Sequence, residues 1–283
     1  MISILVLRSY GDYVILLNAV KVTSLKEEVE LYVSIHLHEL HKALRLNFPQ
    51  NFTFHFIDLG IKKGLLSFFT NKNFFTLSNL KELTLLQKQN KLIGERWQQA
   101  DNIYLEQFRR SRWLSFLLGF QFKELHRSGK IYDSFSQFFK NSNPVSNVPL
   151  SLNQNSSIVI FPDSRKQEKE LTASLLFNLK NALIFKYINV RVAKFGRVET
   201  DSVEVDNLLH YSNFEELVEI IQGADFIISS DSLPAHIAEL YKKPHWIFYS
   251  KIINTEWLTP SASALQYYCT FDQLAYFEDT LIK

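Results

Sequence analysis

The stretch "IISSDSLPAHIAELYKKP", Ile227–Pro244, decides the fold. An apolar, β-rich run stops at a small polar cluster, Ser229–Ser232. Pro234 then opens a helical pattern with His236 two positions in. Pro suits the first turn of a helix, where its missing N–H is no loss, and it biases Leu233 toward an extended backbone. Ser232 stands where a helix cap is expected. The stretch therefore reads as a strand feeding a helix. The helix start offers N–H groups and about half a unit of positive charge to an anion such as a pyrophosphate. Asp231 is unfavourable directly beside a phosphate, so it is expected to hold the joint or to accept from a sugar hydroxyl. His236, one turn in, has two readings: a satisfied structural histidine or a donor to a phosphate oxygen.

Outward from this joint the same alternation continues. Upstream, "SNFEELVEIIQGA" is a helix with a capping-box signature, Ser212 followed by Glu215, and "DFIISS" is the strand after it. Downstream, "HWIFYS" is another strand. Earlier come "IVIF", "KELTASLLFNLKNAL" and "INVRVAKF", a strand, an amphipathic helix and a strand. At the start of the chain "ISILVL" is a buried-strand run, followed by the loop "RSYGD", a helical "YVILLNAVKVTSLKEEV", and strand-like "ELYVSI" and "FTFHFID". Strands that alternate with helices and read as continuous apolar runs predict parallel sheets. Between the two series, Leu80–Phe139 is mostly helical in pattern and rich in aromatics. The Asn- and Ser-rich "KNSNPVSNVPLSLNQNSS" follows as a linker. The expectation is two Rossmann-like α/β domains, residues 1–140 and 158–283, joined by a linker at 141–157. The last helix is a candidate to pack back on the first domain.

The bulk numbers agree with a cytoplasmic chain of this kind. It has 283 residues, 46% of them hydrophobic, and a single cysteine, which excludes an internal disulfide. "MISILVLRSYGD" lacks the basic start of a signal peptide, and no run approaches the length of a membrane span. Charge is uneven: residues 1–150 carry 19 Lys+Arg against 12 Asp+Glu, and residues 151–283 carry 12 against 17. A basic half and an acidic half suggest different partners.

Ligands of open α/β sheets bind beyond the carboxyl ends of the strands, so two more strand-end loops matter. In "LRSYGDYV", Gly11 permits a tight turn and Asp12 falls at the next helix start, as an N-terminal cap or as a general base facing the interdomain cleft. In "IFPDSRKQEKEL", Ser164, Arg165, Lys166 and Lys169 surround another helix start. They form either a phosphate site or a solvated charged turn diluted by Glu168 and Glu170.

Together the three loops resemble glycosyltransferase family 9, the ADP-heptose:lipopolysaccharide heptosyltransferases. The resemblance rests on Gly11-Asp12, on Pro162-Asp163-Ser164…Lys169, and on Asp231-Ser232-Leu233-Pro234-Ala235-His236-Ile237-Ala238 followed by Lys243-Pro244. It covers the extreme N-terminus and most of the C-terminal half; residues 60–150 do not align. It implies a GT-B fold, two Rossmann-like domains with parallel sheets facing across a cleft. It implies an inverting, metal-independent sugar transfer with Asp12 as base, from a nucleotide-diphosphate donor, ADP-linked, to a lipopolysaccharide or related lipid-linked glycan. Ser164 and Lys169 match donor-phosphate contacts, with Lys166 a rival to Lys169. Asp231, Ser232, Leu233 and His236 match the donor loop, and Glu199 loosely matches a ribose-binding carboxylate. No cofactor is implied.

The segment Arg109–Lys130 holds six Lys/Arg with interleaved aromatics. It is either an amphipathic core helix with a solvated basic face or a surface for an anionic acceptor at the inner face of the inner membrane, with Arg109, Arg110 and Arg112 as contacts. Nothing resembles a nucleic-acid-binding module. The cluster "HLHELH", His36–His41, is metal-like in composition but needs a break in the backbone to converge. Two departures from the family pattern stand out: Leu233 and Asp163 each occupy a glycine position, and glycine admits close backbone approach to phosphate. Two other readings follow from these departures: the same fold with a different sugar or acceptor, and a non-catalytic module of that fold.

Overall fold

The computed structural model describes residues 1–6, 9–57, 102–105, 121–126, 128–141, 152–196 and 207–282. The apolar runs form two all-parallel sheets. The first contains β1 (Ile2–Val6), β2 (Val29–Ser34), β3 (Phe52–Ile57), β4 (Asn102–Leu105) and the two-residue β5 (Lys123–Glu124), in the order β3-β2-β1-β4-β5. The second contains β6 (Ser157–Phe161), β7 (Asn189–Phe195), β8 (Leu208–Tyr211), β9 (Phe226–Ser230), β10 (His245–Tyr249) and β11 (Tyr268–Thr270), in the order β11-β10-β9-β6-β7-β8. Counted within each sheet, both follow the 3-2-1-4-5 order of nucleotide-binding sheets, and the second completes it with a sixth strand. β4 lies inside the segment whose pattern reads as helical. Its four residues, Asn-Ile-Tyr-Leu, are too few to show a period, and their pairing with β1 makes them a strand.

The central strands are buried along their whole length, with every residue of β6, β9 and β10 inside. Burial on both faces is why they read as mostly apolar runs rather than as alternating ones. Helices cover the faces: α1 (Tyr10–Lys21), α2 (His38–Ala43), α3 (Ile131–Phe138), α4 (Ala173–Ile184), α5 (Phe214–Gly223), α6 (Leu233–Leu240), α7 (Pro260–Leu265) and α8 (Leu274–Leu281). Local chemistry sets their starts. Thr172 caps α4 through Leu175 N–H at 3.2 Å. At α5 the cap is Asn213, which accepts from Glu216 N–H at 2.9 Å, while Glu216 accepts from Ser212 N–H at 2.6 Å. The capping pair thus sits one residue beyond the Ser212–Glu215 pairing that the sequence suggests, because Asn competes well with Ser for the cap.

One apolar core joins the two halves. It includes Val14 and Leu17 of α1 and Leu37 and Leu40 around α2, together with Leu217 and Ile221 of α5 and Ile237 and Ala238 of α6. Arg45 adds an exposed pair with Glu215 at 2.9 Å, and Tyr241 donates its hydroxyl to Leu44 O. A second core lies on the far face of the second sheet, where Phe277 and Leu281 of α8 pack with Trp246, Phe248 and Leu175. The C-terminal helix therefore packs on the second sheet rather than back on the first. Lys186 and Tyr187 hold its end by donating to Leu281 O at 3.2 and 3.1 Å. Most of the expected linker lies outside the described residues. No described helix is long and apolar enough to cross a membrane.

The histidine cluster does not converge. His36 bonds Ser34 Oγ through Nδ1 at 2.8 Å, His38 approaches Glu39, and His41 bonds Tyr13 OH at 2.6 Å beneath Phe48, Phe54 and Phe56. Among the described residues no group of three metal-ligating side chains comes together.

Candidate active site

The site follows from the topology. In each sheet the strand order reverses beside the first strand, β1 or β6, and the crevice lies at the carboxyl ends there. Beyond β1 stand Ser9, Tyr10, Gly11 and Asp12. Beyond β6 and β9 stand Pro162–Lys169 and Asp231–His236. The packing of α1 on α6 brings the first group against the last.

Asp12 lies in the first turn of α1 and is only 6% exposed, and it accepts the Ser9 hydroxyl at 2.8 Å. Gly11 makes no turn, since it lies within the helix. Its lack of a side chain matters for another reason: a Cβ there would stand 3.0 Å from His236 Cδ2 and 3.5 Å from Nε2. The imidazole of α6 rests on the bare backbone of α1, one residue from Asp12. Tyr10, next in the chain, packs on Phe214 of α5, with ring centroids 4.8 Å apart.

His236 is itself buried, and its Nδ1 lies 3.0 Å from the hydroxyl of Tyr132 on α3. Burial lowers its pKa, and the nearby Asp231 and Asp12 only partly oppose this. The ring is therefore neutral at physiological pH. His41 is pushed down to about 4 by burial, with His38 adding to the effect. Both groups bear on stability. Unfolded, each binds a proton near pH 6.5; folded, each resists it. Stability is thus full above about pH 6.5 and falls as pH drops toward the folded values, reaching about 4 for His41. Urea midpoints at pH 7.5, 6 and 5 should decline in that order, and His41→Gln should flatten part of the slope. A midpoint that holds steady over this range contradicts the assignment.

On the second sheet Lys169 turns inward from a short 3-10 turn, Gln167–Lys169. Its Nζ lies 2.5 Å from Asp231 Oδ2 and 3.4 Å from Asp231 O. The Asp231 side chain is 7% exposed and that of Lys169 32%. The pair lies in the wall of a cavity of about 340 Å³, with Phe248, Tyr249, Ile253 and Asn254 among its other walls. The Tyr249 hydroxyl is buried with no hydrogen-bond partner among the described residues, and burial raises its pKa, with Asp231 adding to this.

Of the residues that the sequence singles out, Lys169 and Asp231 meet at the cavity, and Asp12 and His236 meet at the helix junction. Asp231 is paired with Lys169 across the joint. Ser164 is half-buried and does not line the cavity. Lys166 is exposed and pairs with Glu168 at 3.7 Å, away from the cavity that Lys169 lines. Ser232 holds the cap position of α6, but its hydroxyl donates to Ser230 O at 3.2 Å and caps nothing. The first-turn N–H groups therefore stay unclaimed by that side chain. Pro234 is the second helical residue rather than the first, within the turn where its missing N–H is still harmless.

Both departures at glycine positions have a structural answer. Leu233 opens α6 without a left-handed φ, so the backbone there does not require glycine, and its side chain packs on the shared core. Asp163 turns to the neighbouring strand, where Oδ2 accepts Phe195 N–H at 2.9 Å. Glu199, Arg109, Arg110 and Arg112 lie outside the described residues.

Tyr132 and Tyr249 border the candidate site, and the α7 region bonds to α6, without any mark in the local sequence. Glu239 of α6 accepts both Ser261 N–H at 3.1 Å and Ser261 Oγ at 3.0 Å, and His245 bonds Thr259 Oγ1 at 2.7 Å. An isolated Tyr in an amphipathic helix carries no signal that its hydroxyl meets a histidine 104 positions away.

No protein-family model and no curated protein matches the sequence. Solved structures do match the fold. The E. coli heptosyltransferase WaaC with ADP is 11% identical with a TM-score of 0.57, the match covering 99% of each chain. A glycosyl transferase family 9 protein from Veillonella parvula is 12% identical with a TM-score of 0.60, over 100% of this chain and 90% of that one. The E. coli ADP-heptose lps heptosyltransferase II is 11% identical with a TM-score of 0.57, over 95% of this chain and 89% of that one. The likeness establishes the fold, the two-sheet GT-B architecture.

Proposed function

We propose that this protein is an inverting glycosyltransferase of the family 9 kind, moving a heptose-like sugar from a nucleotide diphosphate to an acceptor hydroxyl of a surface glycan. The observation that carries the reading is the seating of His236 on Gly11. It brings a buried carboxylate, Asp12, to the start of the helix that closes the second sheet's ligand crevice. A base and an anion-binding helix end then share one junction, as a displacement at a glycosyl phosphate requires.

In this reading Asp12 takes the proton of the acceptor hydroxyl as its oxygen attacks the anomeric carbon. The bond from that carbon to the phosphate oxygen breaks on the opposite face, and the nucleotide diphosphate leaves with the electron pair. Inversion follows from the single displacement. Charge grows on the leaving phosphate, where the α6 N-terminus and Lys169 provide fixed positive potential. Two of the three N–H donors of Lys169 meet Asp231, leaving the third for a phosphate oxygen. Ser164 and Ser232 would complete the donor loop. The likeness to structures holding ADP and ADP-heptose analogues supports an ADP-linked donor. The basic Arg109–Lys130 segment supports an anionic acceptor at a membrane face. We read the protein as needing no metal, because helix dipole and lysine supply the charge.

The test is thermal unfolding with ADP, UDP, GDP and CMP. Binding at a hundred times Kd stabilises by about 2.7 kcal/mol, so ADP should raise the midpoint by several degrees and the others by less. If none of the four shifts it, the donor site is misread.

A further inference from the structure

We propose that Tyr132 is a positioning residue that holds His236 in its Nε2–H tautomer, so that the imidazole presents a fixed, neutral hydrogen-bond donor at the junction of α1 and α6. The inference deepens the reading of the site as a nucleotide-sugar site and rests on it for its functional part.

The geometry carries it. The Tyr132 hydroxyl and His236 Nδ1 stand 3.0 Å apart, in a contact that is buried on both sides. Tyr132 is 5% exposed and His236 6%. A phenol has one hydrogen to give. Donated to Nδ1, that hydrogen is satisfied, and Nε2 must carry the ring proton. In the reverse arrangement Nδ1–H donates to the phenol oxygen, and the phenol hydrogen is left without an acceptor among the described residues in a buried contact, which costs free energy. The first arrangement is therefore preferred. Tyr132 remains a phenol throughout, because burial holds its pKa well above the usual value, with Glu239 adding to the effect.

Two sets of contacts keep Tyr132 where this requires. Ile131, Tyr132 and Phe135 lie in the core shared with α1. The start of α3 is tied to the other half of the molecule by Ile131 N–H to Glu256 O at 3.0 Å, Lys130 Nζ to Ser263 Oγ at 3.2 Å, and His126 Nε2 to Glu256 Oε1 at 3.2 Å. The far side of the imidazole rests on Gly11. The ring is thus gripped at Nδ1 by the first half's last helix and bounded at Cδ2 by its first helix, while its own helix belongs to the second half. Besides Tyr132, the charged or titratable groups acting on it among the described residues are Asp12, Asp231, Lys169 and His245. A neutral donor placed among these groups can serve a phosphate oxygen without titrating near pH 7.

The experiment is ¹⁵N spectroscopy of the full chain labelled at histidine, with His236 assigned by its absence in His236→Gln. At pH 7.5 the expected pattern is a protonated Nε2 and an unprotonated Nδ1. In Tyr132→Phe, which keeps the ring and removes only the hydroxyl, both nitrogens should move to the averaged shifts of mixed tautomers. The wild-type spectrum alone overturns the proposal if Nδ1 carries the proton, so the test does not depend on the variant folding. An unchanged tautomer in Tyr132→Phe also overturns it. Calorimetry with ADP then reads the functional part: affinity should fall about tenfold in Tyr132→Phe, the loss expected for one misoriented hydrogen bond. An unchanged affinity would refute that part. If ADP fails to bind even the wild type, the nucleotide reading fails while the measured tautomer still stands.

Discussion

Asp12→Asn yields a protein that folds and binds ADP as the wild type does but transfers sugar about 10²–10⁴-fold more slowly, the range for loss of a positioned general base. Asparagine keeps the size of the side chain and can still accept from Ser9 Oγ, the contact that Asp12 makes at 2.8 Å. What it loses is basicity. The drop should therefore fall on kcat, with little change in the KM for the donor. Donor binding is referred to the second sheet, so equal ADP affinity in the two proteins is part of the prediction. If an active preparation keeps its full rate after the change, Asp12 is only a residue of the helix start and the base lies elsewhere.

Lys169→Met is expected to damage stability and binding together. It leaves the Asp231 carboxylate, 7% exposed, without its cation at 2.5 Å. Breaking a buried pair from one side costs about 3–5 kcal/mol. The effect here belongs at the lower end of that range, because a third of the Lys169 side chain meets solvent. Urea unfolding should show the loss. Lys169→Met combined with Asp231→Asn removes both charges, so most of the stability should return. ADP affinity should not return, since the phosphate still lacks its lysine. That split separates a structural ion pair from a ligand-binding one. Full recovery of ADP binding in the double variant would show that Lys169 serves only the fold.

Much of the fold is legible in local sequence. "ISILV", "SIVIF" and "FIISS" are mostly apolar runs, broken only by serines, because their strands are buried on both faces, and this marks them as parallel strands from the sequence. The candidate site loops follow from the same reading, since strand ends in an open α/β sheet are where crevices form. Asp12, Lys169, Asp231 and His236 are all visible in this way. Short elements are not. β4 and β5 offer four and two residues, and β8, β11 and α7 are nearly as brief, so no periodicity can accumulate in them.

Local sequence thus specifies the two series of alternating strands and helices, the strand-end loops, and the residue types in them. Which of those residues pair with one another is settled by long-range packing. Lys169 chooses Asp231 across 62 positions, and Tyr132 chooses His236 across 104. It also reassigned Gly11 from a turn to a seat for an imidazole, and turned Asp163 away toward Phe195. The physical reason is one of range. Strand and helix patterns arise from neighbours along the chain, within a turn or two of the backbone. A hydrogen bond or ion pair depends on distances of about 3 Å, and chain segments far apart in sequence meet at that distance only where two sheets and their covering helices have packed.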